Sequence, residues 1–483
     1  MNILLLSNSA PNYYNFFNAL AGLLAKDGAT VVAAVDSTFS REENGLDRVG
    51  FAAVYDFSVF FADHQVDRAI LARYADFDLN GALLSDFERA EAYDVWGEGA
   101  DLDYFDRLKS ALLTFFEGIF ERHAVDVVLY ENVSNTFAHY ALFVAQKRGA
   151  TYCGLSASRL PGRFTLTADP LADDETEHAF RAIRAGQLAV DPSVREWARD
   201  YIANIDAAIP DYMKFNGVDR IEIIRRYIRR DRPKKILSLM RHAFDSRTDA
   251  FQIGNPLRTH INLFARNVRR RLRTGRVRKL YQRAVPGERF LLYPMHFHPE
   301  AATSIFAGTY LDEYEVIRNI AFSLPEGVRL YVKDHVSAWG FPSLDFYRRI
   351  RRLPNVRLLG PNEPTKQLIR SSVGVITLTS TVGYEALILK KPVFLYGNVF
   401  YKFHCGVTKI HDPANLRWII ADKLANPIEW DEQYNQDFVC AYYQATLPGA
   451  LNLMLPSGKA EIVAQKIYSE LKISRCSLMK GRT

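Results

Sequence analysis

Ser380-Thr381-Val382-Gly383-Tyr384-Glu385 gathers two hydroxyls, a glycine and a carboxylate within six positions. A strand-like apolar run ends near Leu378, and a helical pattern begins near Thr381. Hydroxyls and backbone N–H groups at a helix N-terminus bind phosphate. Gly383 admits close backbone approach, and Glu385, about one turn in, can accept bonds from the two hydroxyls of a ribose. As ordinary structure the same residues read as a capped helix, with Thr381 as N-cap and Glu385 favourable to the dipole. Lys333-Asp334-His335 ends another strand-like run. In the same sheet its loop is expected beside the Ser380 loop, at the carboxyl ends of the strands, where open α/β sheets bind ligands. There His335 would bond a phosphate or a base edge, and Lys333 would offset charge. Met295-His296-Phe297-His298-Pro299-Glu300 follows a third apolar run. Two histidines and a glutamate suggest a metal at first sight, but Pro299 favours a loop that touches donor phosphate or the reacting sugar. No metal site is expected.

Positioning these loops takes a β/α scaffold, and the periodicity supplies two. Asn2–Leu6 and Thr30–Val35 read as buried parallel strands around a helix that carries Phe16, Phe17, Leu20, Leu23 and Leu24 and stops at Gly28. Tyr104–Arg122 reads as a helix and Asp126–Tyr130 as a strand ending at Glu131. Thr136–Arg148 is a helix stopped by Gly149, and Tyr152–Leu155 is a further strand before SRLPGRF. Glu175–Gln282 reads as mostly helical. A second alternating series has strands at Phe290–Tyr293, Val328–Val332, Val356–Leu359, Val373–Leu378 and Pro392–Tyr396, with helical pattern again from Asn415. The expected fold is α/β, with two Rossmann-type β/α/β domains facing across a cleft, a helical basic insertion and C-terminal helices. The expected boundaries are 1–170, 171–287, 288–425 and 426–483.

At 483 residues, 48% hydrophobic and 24% charged, the chain has the composition of a globular protein with more than one domain. Charge is uneven. Residues 220–283 hold 20 Lys and Arg against four Asp and Glu, in a chain of net +6, so the remainder is acidic. That asymmetry points to an anionic partner. Cys153, Cys405, Cys440 and Cys476 have no metal or disulfide spacing. MNILLLSNSAPN lacks the basic start and apolar length of a signal peptide, and no apolar run has membrane-spanning length. The expected location is the cytoplasm, peripherally on the inner face of the membrane.

YPMHFHPEAATS, LYVKDHVSAWG and ITLTSTVGYEALILKKPVFLYGNVFY resemble the bacterial capsule polysaccharide biosynthesis family, as do VVLYENVSNTFAHYAL and GLSASRLPGRF. That family includes β-Kdo glycosyltransferases, which use CMP-activated 3-deoxy-manno-octulosonic acid (Kdo). The resemblance spans residues 125–165 and 288–410. It implies a GT-B fold with the donor nucleotide in the C-terminal domain. It further implies that His335 contacts CMP from the counterpart of a His-Pro motif, and that Ser380, Thr381 and Glu385 bind phosphate and ribose. Val336 stands where the family usually has proline, and Asp334 where glutamate is more usual.

Glycosyl transfer needs a carboxylate at the anomeric centre, as nucleophile or as base. Glu131, at a strand's carboxyl end beside Asn132, Ser134 and Asn135, is the first candidate, and Glu300 is its rival. As ordinary structure the Glu131 group is a helix-capping cluster. His296 and His298 would complete the cleft. Arg159 and Arg163 offer guanidiniums that match a sugar carboxylate, with His298 alongside; as ordinary structure the arginines make a salt bridge. Asp76-Phe77-Asp78 and Asp101-Leu102-Asp103 match a DxD pattern, but neither follows a clear strand, so metal-independent transfer without a cofactor is expected. In residues 220–283, Ile221, Ile224, Tyr227 and Ile228 interleave with arginines, the pattern of a helix lying on anionic lipid. Nucleic acid is not the expected partner. The combined expectation is transfer of a Kdo-like sugar from its CMP donor to a surface-polysaccharide or lipid-linked glycan acceptor, with retention. The alternatives are another CMP- or UDP-dependent transferase, such as a glycerol phosphate transferase, or a non-catalytic assembly factor.

Overall fold

The computed structural model describes residues 1–96, 102–211, 213, 239–245 and 249–480, with side chains as far as Leu471. Ile221, Ile224, Tyr227 and Ile228 of the basic segment, and Asp101 of the second DxD, lie outside the described residues. Two compact units emerge. One comprises Met1–Pro170, Ile209–Leu263 and Thr446–Thr483; the other comprises Leu171–Ala208 and Phe264–Ala445.

The strands of the first half are β1 (Asn2–Ser7), β2 (Thr30–Val35), β3 (Ala53–Asp56), β4 (Val127–Glu131), β5 (Thr151–Ala157) and β6 (Arg163–Thr167). Those of the second are β7 (Phe290–Pro294), β8 (Arg329–Lys333), β9 (Val356–Leu359), β10 (Gly374–Thr377), β11 (Val393–Leu395), β12 (Val407–Lys409) and β13 (Leu447–Pro448). They form two sheets, ordered β13-β6-β5-β4-β1-β2-β3 and β12-β11-β10-β7-β8-β9. In the first, β5 to β3 are parallel, and β6 and β13 pair antiparallel at the edge. The second is parallel throughout. Two Rossmann-type sheets are therefore present, as the alternating periodicity predicts.

The central strands are continuous apolar runs because helices cover both faces of a parallel sheet. Leu4, Leu5 and Leu6 of β1, and Leu291, Leu292 and Tyr293 of β7, are fully buried. Burial of such side chains contributes roughly 1.5–3 kcal/mol each. Local signals fix the intervening helices. Asn135 accepts the Ala138 N–H at 3.0 Å to start the helix Thr136–Arg148. Gly149, at φ 71°, ends it in the left-handed region that glycine tolerates.

Three local features add to the strands and helices read from the sequence. SRLPGRF forms the turn of a hairpin, since Arg163 already begins β6. The stretch after Val54 forms β3 and then short helices, three of which are started by Asp56, Asp67 and Asp78 side chains. Asp78, the second acid of the first DxD, is thereby a helix cap, accepting the Gly81 N–H at 2.8 Å.

Candidate functional site

In the second sheet the chain runs from β7 outward through β8 to β9, then returns to β10 and runs the other way through β11 to β12. The reversal leaves a switch point between β7 and β10, the position where open α/β sheets bind ligands. The loop after β7 (residues 295–300) and the loop after β10 (378–380) flank it. The β8 loop does not neighbour the Ser380 loop, contrary to the expectation. β7 pairs with both β8 and β10, so the His296 loop lies between them.

Ser380, not Thr381, is the N-cap of the helix Thr381–Ile388. Its backbone is extended, with ψ 148°, and its Oγ accepts the Val382 N–H at 3.2 Å. The Ser380 N–H donates to Thr377 Oγ1 at 3.1 Å, and Tyr401 Oη donates to the Ser380 carbonyl at 2.6 Å. A Cβ on Gly383 would meet Tyr401 Oη at 2.4 Å. Gly383 thus makes room for the tyrosine that fixes the loop. Inside the helix, Glu385 is 3.8 Å from Lys366 Nζ. Burial pushes the Glu385 carboxyl up, and Lys366 and Lys333 pull it back. Lys333 is itself buried and donates to the Pro361 carbonyl at 2.8 Å, and burial holds its ammonium below the usual lysine range.

His335 Nδ1 accepts the Ser337 N–H at 3.2 Å. In a neutral ring that leaves the proton on Nε2, as a donor. Burial first, then His296 and Lys333, depress its pKa to about 4, so the ring is neutral at physiological pH. The Ala338 and Trp339 N–H groups both donate to the His335 carbonyl, at 3.0 and 2.9 Å. These bonds constrain the loop although Val336 replaces the usual proline. The His335 N–H also donates to Asp334 Oδ1 at 2.7 Å, and Tyr281 Oη donates to the other oxygen.

His296 is buried and acts as a brace. Its backbone N–H donates to Glu313 Oε1 at 2.7 Å, and its Nδ1 lies 3.3 Å from the same oxygen. Its Nε2 lies 3.4 Å from the Thr379 N–H and 3.3 Å from Thr377 Oγ1. A backbone N–H can only donate, so Nε2 is the acceptor and Nδ1 carries the proton toward Glu313. The ring ties the β7 loop to the β10 loop. His298 Nε2 is 3.7 Å from Glu313 Oε2. Glu300 has an exposed side chain, and its carbonyl accepts the Thr303 and Ser304 N–H groups at 3.0 and 2.9 Å. Glu313 and Lys366 were not anticipated. Glu313 opens the helix Glu313–Ser323, where Asp312 Oδ1 accepts the Glu315 N–H at 3.1 Å. That capping pattern was readable, but the contact with His296 follows only from the fold.

The first sheet has its own switch point, between β1 and β4, and Glu131 is the last residue of β4. Ser134 Oγ donates to Glu131 Oε1 at 2.5 Å. Burial raises the carboxyl to about 7, with Ser134 and Arg89 opposing. A second acid, Asp36, directly follows β2 and is fully buried. Desolvation raises it to about 7 against bonds from Ser40, Ser37 and the Ser9 backbone. Nothing but its position after a strand marked it in the sequence. Arg163 Nε donates to Thr446 Oγ1 at 2.7 Å and its Nη2 donates to the Thr446 carbonyl, so this guanidinium fastens the sheet edge. Arg159 is half-buried on the hairpin turn. Among the described residues there is no group of three or more His, Cys, Asp or Glu able to hold a metal.

Residues 253–435 match the family described as "Capsule polysaccharide biosynthesis protein". That stretch contains the whole second sheet and its switch-point loops; Glu131 lies outside it. No curated protein matches the chain. Solved structures similar to it include two from Thermosulfurimonas dismutans. The KpsC beta Kdo 2,4 transferase is 13% identical, with a TM-score of 0.36 over 66% of this chain and 79% of that one. The KpsC beta Kdo 2,7 transferase is 12% identical, with a TM-score of 0.37 over 75% and 89%. The UDP-GlcNAc 2-epimerase from Neisseria meningitidis is 12% identical, with a TM-score of 0.30 over 99% and 100%.

Proposed function

We propose that the protein is a glycosyltransferase of capsule polysaccharide synthesis that takes a CMP-activated, Kdo-like sugar at the switch point of the second sheet. One observation carries this reading. The loop that presents neutral His335 as an Nε2 donor, the capped helix behind Ser380 and Thr381, and Glu385 all belong to a single sheet within the family-matched stretch. A hydrogen-bond donor, a helix N-terminus and a carboxylate serve the base, the phosphate and the ribose of a nucleotide respectively. Lys333 and Lys366 offset Glu385 electrostatically, which keeps an acid tolerable near a phosphate.

In this reading the braced histidines His296 and His298 hold the loop shape. Glu131 of the first unit is the nucleophile or base, and Arg159 binds the sugar carboxylate. A carboxyl poised near 7 is partly ionised at neutral pH, which suits proton transfer from an acceptor hydroxyl. Turnover needs no metal, and with Glu131 as the nucleophile of a double displacement it proceeds with retention.

The acceptor is a lipid-linked glycan, met at the inner face of the cytoplasmic membrane. The helix Pro256–Arg278 supports that placement. Phe264, Val268 and Leu272 are exposed at steps of four, and Arg269, Arg271, Arg276 and Arg278 are also exposed. The basic character is not wholly free for lipid, since Arg270 and Arg273 donate to the Trp339 and Phe341 carbonyls at 2.7 and 3.1 Å. Among the described residues no helix is long and apolar enough to cross a membrane.

The test is calorimetry with CMP and UDP, followed by incubation with CMP-Kdo and lipid-linked acceptors and reading of linkage and anomer by NMR. Tight UDP binding with none of CMP would sink the donor assignment. Flotation with anionic vesicles tests the membrane surface: binding that high salt does not release rules out the electrostatic version.

A further inference from the structure

A single chain of hydrogen bonds links the β10 loop to the β7 loop and ends on Glu313. The Ser380 N–H can only donate, so Thr377 Oγ1 accepts it at 3.1 Å and keeps its own proton to give. That proton faces His296 Nε2 at 3.3 Å, which also takes the Thr379 N–H at 3.4 Å. The ring's one remaining proton, on Nδ1, faces Glu313 Oε1 at 3.3 Å. The same oxygen accepts the His296 N–H at 2.7 Å and Tyr293 Oη at 3.3 Å. From Ser380 through Thr377 and His296, every proton is thus directed toward one carboxylate. Glu313, His296, Thr377 and Thr379 are all buried, where a polar group that loses its partner is costly.

With no acceptor at position 313, the ring proton is free to move to Nε2, where it meets the Thr379 N–H and the Thr377 hydroxyl as donor against donor. The β10 loop then has to shift, and with it Ser380, the N-cap of the helix Thr381–Ile388. The His335 loop is held by other bonds. The Ser337 N–H orients the His335 ring. Burial, His296 and Lys333 lower that ring's pKa and Glu313 opposes them, so loss of the Glu313 charge leaves it neutral. We propose that Glu313 is a positioning residue for the phosphate end of the nucleotide site: it fixes the His296 tautomer, and the tautomer fixes the loop that starts the helix on which the phosphate docks. The inference rests on the nucleotide reading of that site and divides it into a phosphate end and a base end held by separate bonds.

The experiment is calorimetry of the full chain with CMP and with cytidine, which lacks the phosphate. Glu313→Leu removes the acceptor at similar volume, and Thr377→Val removes the hydroxyl. Each should weaken CMP binding about tenfold and leave cytidine affinity as in wild type. Glu313→Gln and Thr377→Ser keep an acceptor and a hydroxyl, and each should bind CMP more tightly than its disruptive counterpart. Thermal unfolding confirms which variants fold; should Glu313→Leu not fold, the Thr377 pair decides. Nitrogen-15 NMR of the histidine-labelled wild-type chain, with His296 assigned by its loss in His296→Gln, should find the ring proton on Nδ1. The inference is overturned if that proton sits on Nε2, if the folded disruptive variants bind CMP as wild type does, or if they weaken cytidine as much as CMP. A wild-type chain that binds no CMP overturns the nucleotide reading together with this inference, whereas wild-type binding with unaltered variants overturns this inference alone.

Discussion

The parallel cores of the two sheets share one strand order, β5-β4-β1-β2-β3 and β11-β10-β7-β8-β9, and carry different titratable groups at their switch points. In the first, Glu131 and Asp36 are acids lifted to about 7 by burial. In the second, His335 is lowered to about 4, and Lys333 and Glu385 are pushed toward neutrality from either side. The first switch point holds carboxyls whose protons exchange near neutral pH. The second holds in His335 a hydrogen-bonding ring that stays neutral across physiological pH. A β-α-β frame sets where loops go. What those loops can do depends on how deeply each sheet buries its last strand residue and on which partners it supplies.

The largest expected effect tests the acidic switch point of the first sheet. Glu131→Gln should lower transfer from CMP-Kdo by about 100-fold or more, with CMP affinity by calorimetry unchanged. Loss of CMP binding in that variant would merge the two roles. At the second sheet's switch point, His335→Ala should weaken CMP binding roughly 10- to 100-fold, the range for a hydrogen bond to a charged or strongly polar ligand group. Wild-type CMP affinity should show no step near pH 6.5 from this ring, because its proton is gained only near 4.

A smaller effect separates loop shape from chemistry. Gly383→Ala drives a methyl into Tyr401 Oη and should cost about 1–3 kcal/mol in urea unfolding. A stability equal to wild type would show that the Tyr401 brace is dispensable. The subtlest test is pH-dependent stability. The folded pKa of Glu131 is raised from 4.5 to about 7, so the native state binds more protons than the unfolded chain between those values. Its contribution is full below pH 4.5 and is lost as pH rises through about 7. Asp36 acts in the same direction. The thermal midpoint of Glu131→Gln should therefore fall less steeply than wild type across that window, and the double variant with Asp36→Asn less steeply still.

Residues with local causes were legible. β2 spans Thr30–Val35 and the helix Thr136–Arg148 stops where Gly149 predicts, because an apolar run or a glycine acts on its own neighbours. β12 was missed, since its three half-buried residues carry no apolar run. β6 was hidden behind Pro161-Gly162, which also suits an open loop. In the site, the β7, β8 and β10 loops were found, but their order was not, because strand order is tertiary information. Glu313 shows the same limit. Seventeen residues separate it from His296, and no spacing rule links a helix N-terminus to the loop before it.

β13 pairs with β6 through Leu447 and Pro448, and the helix Ser457–Lys480 packs on the helix Tyr13–Lys26. The second sheet lies wholly within residues 290–409. During synthesis the domain begun first is therefore the one finished last. Its edge strand and its covering helix leave the ribosome only after the second sheet has emerged, so the nascent first sheet must wait with one edge and part of one face uncovered, the condition in which chaperones are most useful.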